Sequence, residues 1–509
     1  MTLSRKLVVR KPTLQTIFFV IIRSVTTAME SVEIKDDLKP WTNIPGPSSL
    51  PIIGPLRHFL PGGEFYNVTG LDLTENFYKK YGKIMKIDPT VGQRHTLIML
   101  FDAEASEKVL RSENTRLPIR PGFESLEYYR KIHKKDIKPD QTTGLITEHN
   151  ERWKEFRSAV GPVLLQPRII KLYQTALDEV ALEMIKRMKS LRNEKNMLTT
   201  EIDREMNLWS LESISVVALG CRLGCLDPNL PKDSPAHDLI SCVHDLFKVA
   251  NQLDFELSFW RWFSTPLFKK GMELYEKQEL LSKHFIDQAM REIRTKAKSE
   301  DEKGILEKIL EINEDYAYIM AGDMLFAGVD TAANTVIATL YLLATNKDKQ
   351  TKLRQELATD QKQSYLKACI KEGMRVMPIV SGNIRKTTKE YDILGYKIPK
   401  DMLLVFNHHY MSLLDENFPS PREYIPERWL VNKDDPLSHR QASPLAYSPF
   451  GFGVRMCAGR RIAELEMETF MARLIENFEV DWFGPPPKIE QQSLNYIKGP
   501  FNFIFKDAK

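Results

Sequence analysis

Cysteine is scarce in this chain. Five are present among 509 residues (Cys221, Cys225, Cys242, Cys369 and Cys457), few and odd in number, which excludes a disulfide framework as the basis of the fold. Cys221 and Cys225 stand four apart, but no nearby His or Cys pair completes a zinc site. Acidic residues are absent before Glu30, whereas Arg5, Lys6, Arg10, Lys11 and Arg23 are all basic. Without those five charges the formal balance of +4 becomes −1, so the basicity belongs to the leader and the body is neutral. Nothing in that balance calls for nucleic acid as a partner. The leader also lacks a long apolar run. Ile17–Ile22 is six residues, against the ~20 needed to span a bilayer. Residues 1–29 are basic, rich in Ser and Thr and free of acid, which is the composition of a mitochondrial transit peptide.

What is present is otherwise ordinary. Apolar content of 42% and charged content of 28% suit a globular protein with a large core. Length alone allows two or three domains. Residues 30–55 carry Pro40, Pro45, Pro47, Pro51 and Pro55 and read as a stiff, non-helical lead-in to a body spanning 56–509.

One stretch stands out, Phe450-Gly-Phe-Gly-Val-Arg-Met-Cys-Ala-Gly459. Gly451 and Gly453 allow a tight turn and a close approach to something flat. Arg460–Phe478 follows as a helix by its apolar period, at Ile462, Leu465, Met467, Phe470, Leu474 and Ile475. Cys457 therefore sits at the mouth of a helix, where free N–H groups favour a thiolate, with Arg455 two residues away. A lone cysteine is by default a small buried hydrophobe. The other reading is a thiolate ligand to iron.

The rest of the chain supplies four further candidates. Ile84–Ile87 and Thr96–Phe101 read as strands joined through Gly92, and Arg111–Thr143 as mixed, charged loop. Trp153 and Arg157 share one helix face at four-residue spacing, where an indole and a guanidinium can meet one acid group. Arg168–Leu191 reads as one amphipathic helix, Asn207–Leu219 as a more apolar one, and Asp254–Phe268 as a dense aromatic patch. Tyr316–Thr345 is nearly uncharged and apolar on all sides, which marks a central buried helix. Asp330 and Thr331 lie in its middle. Two readings stand for them: a capped polar pair at a kink opened by Gly328, or a proton relay. On the helix Leu366–Met374, Glu372 can pair with Arg375, and Arg428 in Pro426-Glu-Arg-Trp429 can complete an Arg–Glu–Arg cluster. Lys389–Ile393 and Leu403–Phe406 are strand-like.

These five motifs, in this order, resemble those of the cytochrome P-450 family from the Pro-rich lead-in to the C-terminus. The cysteine loop matches its haem-ligand signature at Phe450, Gly453, Arg455, Cys457 and Gly459. The resemblance implies a mainly α fold with small β-sheets, a single haem-thiolate domain that overrules the several domains allowed by length. It implies haem b with Cys457 as axial ligand, Trp153, Arg157, Arg385, Arg455 and Phe450 around it, and Asp330 and Thr331 as the proton relay. Glu372, Arg375 and Arg428 are then structural. The activity implied is insertion of one atom of O2 into a lipophilic substrate. Cys457-Ala-Gly-Arg-Arg-Ile-Ala-Glu-Leu-Glu466 is similar to the mitochondrial branch, in which Lys367 and Lys371, with Arg460 or Arg461, would steer an acidic, adrenodoxin-like ferredoxin served by its reductase. That branch sits on the matrix side of the inner membrane with peripheral contact. Phe59–Gly63, Leu165–Tyr173 and Trp260–Phe268 resemble insect members that oxidise foreign compounds, including insecticides. Two further readings stand beside this one: an ecdysteroid or other steroid hydroxylase of the same branch, and a haem protein that binds or senses without oxygenating. Gly373 departs from the family pattern, at about 1 kcal/mol of helix propensity. The pocket is expected from Arg111–Gly144, Phe247–Phe268, Met324–Thr331, Pro378–Ile384 and Tyr496–Phe503.

Overall fold

The computed structural model describes residues 38–508 apart from 91–94, 115–116, 136–140, 296–298, 360–361 and 492. The leader 1–29 and Gly92 lie outside the described residues. Helices of eight or more residues are α1 (Gly70–Tyr81), α2 (Ala103–Asn114), α3 (Asn150–Leu165), α4 (Gln174–Leu191), α5 (Ile202–Ala218) and α6 (Pro235–Asp254). They continue as α7 (Pro266–Thr295), α8 (Ile305–Ile312), α9 (Glu314–Thr345), α10 (Lys347–Thr359), α11 (Ser364–Val376) and α12 (Arg460–Asn477). The strands are β1 (Lys39–Pro40), β2 (Ile84–Ile87), β3 (Leu97–Leu100), β4 (Asn383–Lys386), β5 (Tyr391–Ile393), β6 (Tyr396–Ile398) and β7 (Leu403–Phe406). Near the C-terminus come β8 (Phe478–Trp482), β9 (Lys488–Gln491), β10 (Asn495–Lys498) and β11 (Phe503–Asp507). One sheet has the order β2-β3-β7-β4, with β3 and β7 parallel. The others are β1-β6-β5 and the antiparallel pairs β9–β10 and β8–β11. The architecture is mainly helical with small sheets, as expected.

The core forms around α9. It is apolar on every face, so it is stable only when surrounded, and it packs chiefly against α5, with α7, α8 and α11 beside it. It is the one helix among the described residues long and apolar enough to cross a membrane, and here it is buried in protein. Its start is fixed by Asn313, whose side chain accepts the Tyr316 N–H at 3.0 Å. α9 is assigned as one unbroken helix through Gly328. Gly328 makes room for α5: a Cβ there would lie 2.6 Å from Ile214, and Ser210 Oγ donates to its carbonyl at 2.9 Å.

Four expectations are corrected. Arg111–Thr143 is not all loop: it holds the end of α2, a short helix Glu124–Tyr128 and a π-helical turn Tyr129–His133. The helix expected over Arg168–Leu191 is broken. Pro167–Lys171 ends before Tyr173, which turns inward so that its hydroxyl accepts the Ile305 N–H at 2.7 Å, leaving Leu172 43% exposed. The aromatic patch is divided. Trp260 and Phe268 stack in the core at 5.2 Å, whereas Phe255, Trp262 and Phe263 face outward. The Pro-rich lead-in is also more structured than expected: β1 pairs with β6, and Trp41–Asn43 forms a 3-10 turn.

Candidate active site

A cavity of about 360 Å³ lies between α9 and the loop before α12. The loop is shaped by its glycines. Gly451 and Gly453 both have φ of 73°, and the Cys457 N–H closes back on the Phe450 carbonyl at 2.8 Å. Cys457 thereby faces the cavity with its sulfur exposed to it. Deep enclosure pushes the thiol up; the Gly459 amide and the cations Arg157, Arg120 and Arg460 pull it down.

The cations are the second feature. The Arg455 guanidinium lies 3.9 Å from the Trp153 ring centroid and donates to the carbonyls of Pro118, Leu145 and Glu148 at 3.2, 3.2 and 2.8 Å. Arg385 is buried and bonded to the carbonyls of Ile384 and Phe452, at 2.8 and 3.4 Å. Arg157 reaches the Met456 carbonyl at 3.3 Å. Arg120 makes no hydrogen bond or ion pair among the described residues, and neither Arg157 nor Arg385 has a carboxylate partner there. Burial lowers all four; mutual repulsion adds to it for Arg455, pushed down to about 8, and for Arg385, pushed down to about 9. A guanidinium keeps its charge, so the cluster is poised for anions. Four cations, Arg385 and Arg455 buried and Arg120 and Arg157 half-buried, with an indole beside them and a cysteine sulfur opposite an apolar wall, fit haem: thiolate for the iron, guanidinium and indole N–H groups for two propionates.

Phe450 lines the same cavity, with the Arg460 guanidinium 5.5 Å from its ring. Thr331 lines it too, its hydroxyl donating to the Ala327 carbonyl at 2.8 Å as the four-residue spacing allows. Asp330 does not. It is buried on another face of α9, where Oδ2 accepts the Tyr496 hydroxyl at 2.8 Å and Oδ1 has no hydrogen-bond partner. Of the expected pocket segments, Arg120, Met324–Thr331 in part, Ile379, Val380 and Asn383 are on the wall. Phe247–Phe268 and Tyr496–Phe503 are not. Phe247 stacks on Phe326 at 4.8 Å, and Tyr496 is taken up by Asp330.

Three charged wall residues were not singled out individually in the sequence, although Arg120 lies within the expected segment Arg111–Gly144. Arg120 stands between Ile119 and Pro121 in an irregular stretch with no periodicity. Asp323 is eight residues before Thr331, on the same helix face; Arg130 pairs with it at 2.7 Å and the Leu145 N–H donates to it at 3.1 Å. Glu466 is 2% exposed with Oε1 unpartnered, and burial raises its carboxyl far above the usual range. The i, i+4 and i+8 spacing was the available signal for Asp323, and an acid in the apolar stripe of α12 for Glu466.

Behind the cysteine loop, Glu372, Arg375 and Arg428 meet in full burial. Arg375 Nη2 and Arg428 Nε lie 2.7 and 2.9 Å from Glu372 Oε1. The Trp429 indole donates to Oε2 at 2.8 Å, a partner the spacing did not reveal. Five backbone carbonyls take the remaining guanidinium N–H groups, so this buried ionic cluster is fully hydrogen-bonded. Lys367, Lys371, Arg460 and Arg461 lie on α11 and α12 at the surface, with Lys367 3.7 Å from Glu468.

Fold and site together define a haem-thiolate oxygenase. The sequence pattern described as Cytochrome P450 matches residues 44–505, and the chain belongs to that family. It is similar to Cytochrome P450 CYP12A2 of Musca domestica, 36% identical over 499 residues covering 92% of each chain. It is likewise similar to the probable cytochrome P450 12a5, mitochondrial, of Drosophila melanogaster, 34% identical over 518 residues and 95% of each. The crystal structure of the cytochrome P450DA heme domain shares the fold with a TM-score of 0.72 over 93% of this chain and 98% of that one, at 17% identity. The protein is accordingly a haem-containing monooxygenase.

Proposed function

We propose that this monooxygenase oxidises lipophilic foreign compounds in mitochondria, with electrons from an acidic ferredoxin. The observation that carries the substrate class is the wall above the cysteine loop. Ile214, Met320, Met324, Ile379 and Val380 are apolar and partly flexible, and on the α9 side the polar side chains are limited to Asp323, Thr331 and Thr335, whose hydroxyl is bonded back to the Thr331 carbonyl at 2.8 Å. Methionine side chains repack around ligands of different shape, which suits a range of substrates better than one sterol. In support of the location, residues 1–29 have transit-peptide composition and several relatives carry the word mitochondrial in their names. The body begins near the end of the Pro-rich segment 30–55. Outward-facing Phe255, Trp262 and Phe263, between α6 and α7, suit peripheral contact with the inner membrane.

Within the site, haem when bound supplies the redox centre at which O2 is activated. Cys457 holds it as a thiolate, with the Gly459 N–H beside the sulfur. Arg120, Arg157, Arg385, Arg455 and Trp153 bind its propionates, and Phe450 packs against it. Thr331 presents a hydroxyl to the cavity, and Asp330, on the neighbouring face of α9 beside Tyr496, is the acid of the relay. The Glu372–Arg375–Arg428 cluster fixes the backbone supporting the loop.

The test is a spin-state titration of the ferric protein against insecticides, plant terpenoids and ecdysteroid precursors. Graded low- to high-spin shifts with many unrelated lipophiles are expected. Tight saturation by one sterol alone would overturn the foreign-compound reading in favour of hormone synthesis.

A further inference from the structure

The acid and the alcohol on α9 look in different directions. Consecutive helical residues are turned by about 100°, and Thr331 faces the cavity while Asp330 faces β10 and α6. Asp330 is 1% exposed, and its two oxygens have unlike surroundings. Oδ1 is buried without a hydrogen-bond partner. Oδ2 accepts the Tyr496 hydroxyl at 2.8 Å and lies 3.8 Å from His244 Nδ1. The His244 and Tyr496 rings meet edge to face at 5.2 Å.

His244 is the outer member of this set. It stands on α6 with 39% of its side chain exposed. Its second ring nitrogen, Nε2, is 3.5 Å from Lys498 Nζ. Side chains two apart on a strand share a face, so β10 brings both Tyr496 and Lys498 to this histidine, and Lys498 is itself 4.0 Å from Glu490. Asn334, one turn after Asp330, accepts the Ile497 N–H at 3.2 Å and holds β10 against α9. The result is a short line of titratable groups from solvent to a carboxyl that the cavity cannot reach directly.

We propose that His244 is the proton source that recharges Asp330 during turnover, with Tyr496 as the positioning residue that keeps the carboxylate turned toward it. The inference rests on Asp330 acting as the relay acid. In the step, the N–H bond of protonated His244 breaks and an O–H bond forms on Asp330; solvent then reprotonates the ring, and no electron moves. Neither His244 nor Tyr496 touches substrate, and both act through Asp330.

The experiment uses the holoenzyme with a mitochondrial-type ferredoxin, its reductase and the insecticide giving the largest spin shift. His244→Gln keeps a hydrogen-bonding side chain but cannot carry a proton. It is expected to lower product formed per electron by about tenfold. That is less than the ~10²–10⁴-fold of a general acid itself, because solvent partly stands in for a surface group. The substrate dissociation constant from the spin titration is expected to stay unchanged. In an Asp330→Asn background the same change should add nothing. An independent readout is the pair of His244 ring ¹⁵N resonances, which should move in both Asp330→Asn and Tyr496→Phe. Wild-type coupling in His244→Gln, a further tenfold loss on top of Asp330→Asn, or unmoved resonances would each overturn the proposal. Wild-type coupling in Asp330→Asn itself would instead sink the relay reading beneath it.

Discussion

Gly373 sets the distance between two helices. A Cβ added there would lie 2.5 Å from Thr339 Oγ1 on α9, and that hydroxyl is already committed to the Thr335 carbonyl at 2.9 Å. Propensity alone marks this glycine as a weakness of about 1 kcal/mol. The packing reverses the sign, since forcing a methyl into a filled space costs about 1–3 kcal/mol. Gly373→Ala is therefore expected to lower the thermal midpoint of the holoprotein, and adding Thr339→Ala should recover part of the loss. A midpoint raised by Gly373→Ala would refute the argument. Thr331 is the opposite case, a residue whose local geometry its neighbours in sequence do predict. Its hydroxyl bonds back one turn and remains beside the cavity. Thr331→Ala should leave spin shifts unchanged while diverting electrons to hydrogen peroxide. Full coupling in that variant would remove Thr331 from the proton path. Single residues were legible when their role depended on spacing along one helix. Arg120 was not, because its meaning comes from three other arginines brought together by separate elements.

At the scale of elements, the ends of α6, α7 and the short helix Glu124–Tyr128 are tied by one carboxyl. Asp254, at the last turn of α6, accepts the Ser125 N–H at 3.0 Å and its hydroxyl at 2.8 Å, and Tyr275 on α7 meets that hydroxyl at 3.0 Å. Burial, helped by the nearby Glu124 charge, pushes Asp254 from its ordinary 3.8 to about 7. A carboxyl raised on folding stabilises fully below 3.8, and the contribution is lost as pH rises through about 7. One proton sets a slope of at most ~1.4 kcal/mol per pH unit. Buried His408 and His409, lowered to about 4 and about 3, work in the other sense, since each costs stability as it is forced to charge in acid. Asp254→Asn separates the two: the wild type should lose stability relative to this variant between about pH 4 and about pH 7. Parallel pH profiles of thermal midpoint would exclude Asp254 as the cause. These short elements were not legible in the sequence. Glu124–Tyr128 has too few residues for a period, and it forms because Asp254, 129 residues away, caps it. α9 and α12 were legible within a few residues because their apolar patterns are long and uninterrupted.

For the molecule as a whole, the sequence showed a neutral body, and the fold shows how its charges are distributed. α11 and α12 carry the basic residues nearest the cysteine loop, and some are already neutralised. Lys367 is 3.7 Å from Glu468 and Arg460 is 2.9 Å from Glu464. Lys371 has its ammonium over the Trp429 ring at 5.9 Å with no ion pair among the described residues, and Arg461 is exposed and likewise unpaired there. Spacing alone ranks the four alike, because the pairing acids are recognisable only once α12 is laid against α11. If the proposed acidic ferredoxin docks on this face, the field it meets comes chiefly from Lys371 and Arg461. Charge reversal at either is expected to slow ferredoxin-driven reduction by about tenfold at low salt, within the range that steering supplies. Reversal at Lys367 should cost less at first contact but also repel Glu468, so it should lower the thermal midpoint as well. Dithionite reduction and substrate spin shifts should be unaffected in the Lys371 and Arg461 variants. Rising ionic strength should erase the difference between them and the wild type, because exposed charges are screened beyond ~10 Å at 0.1 M salt. A wild-type reduction rate indifferent to salt would mean that the partner does not dock through this face by charge.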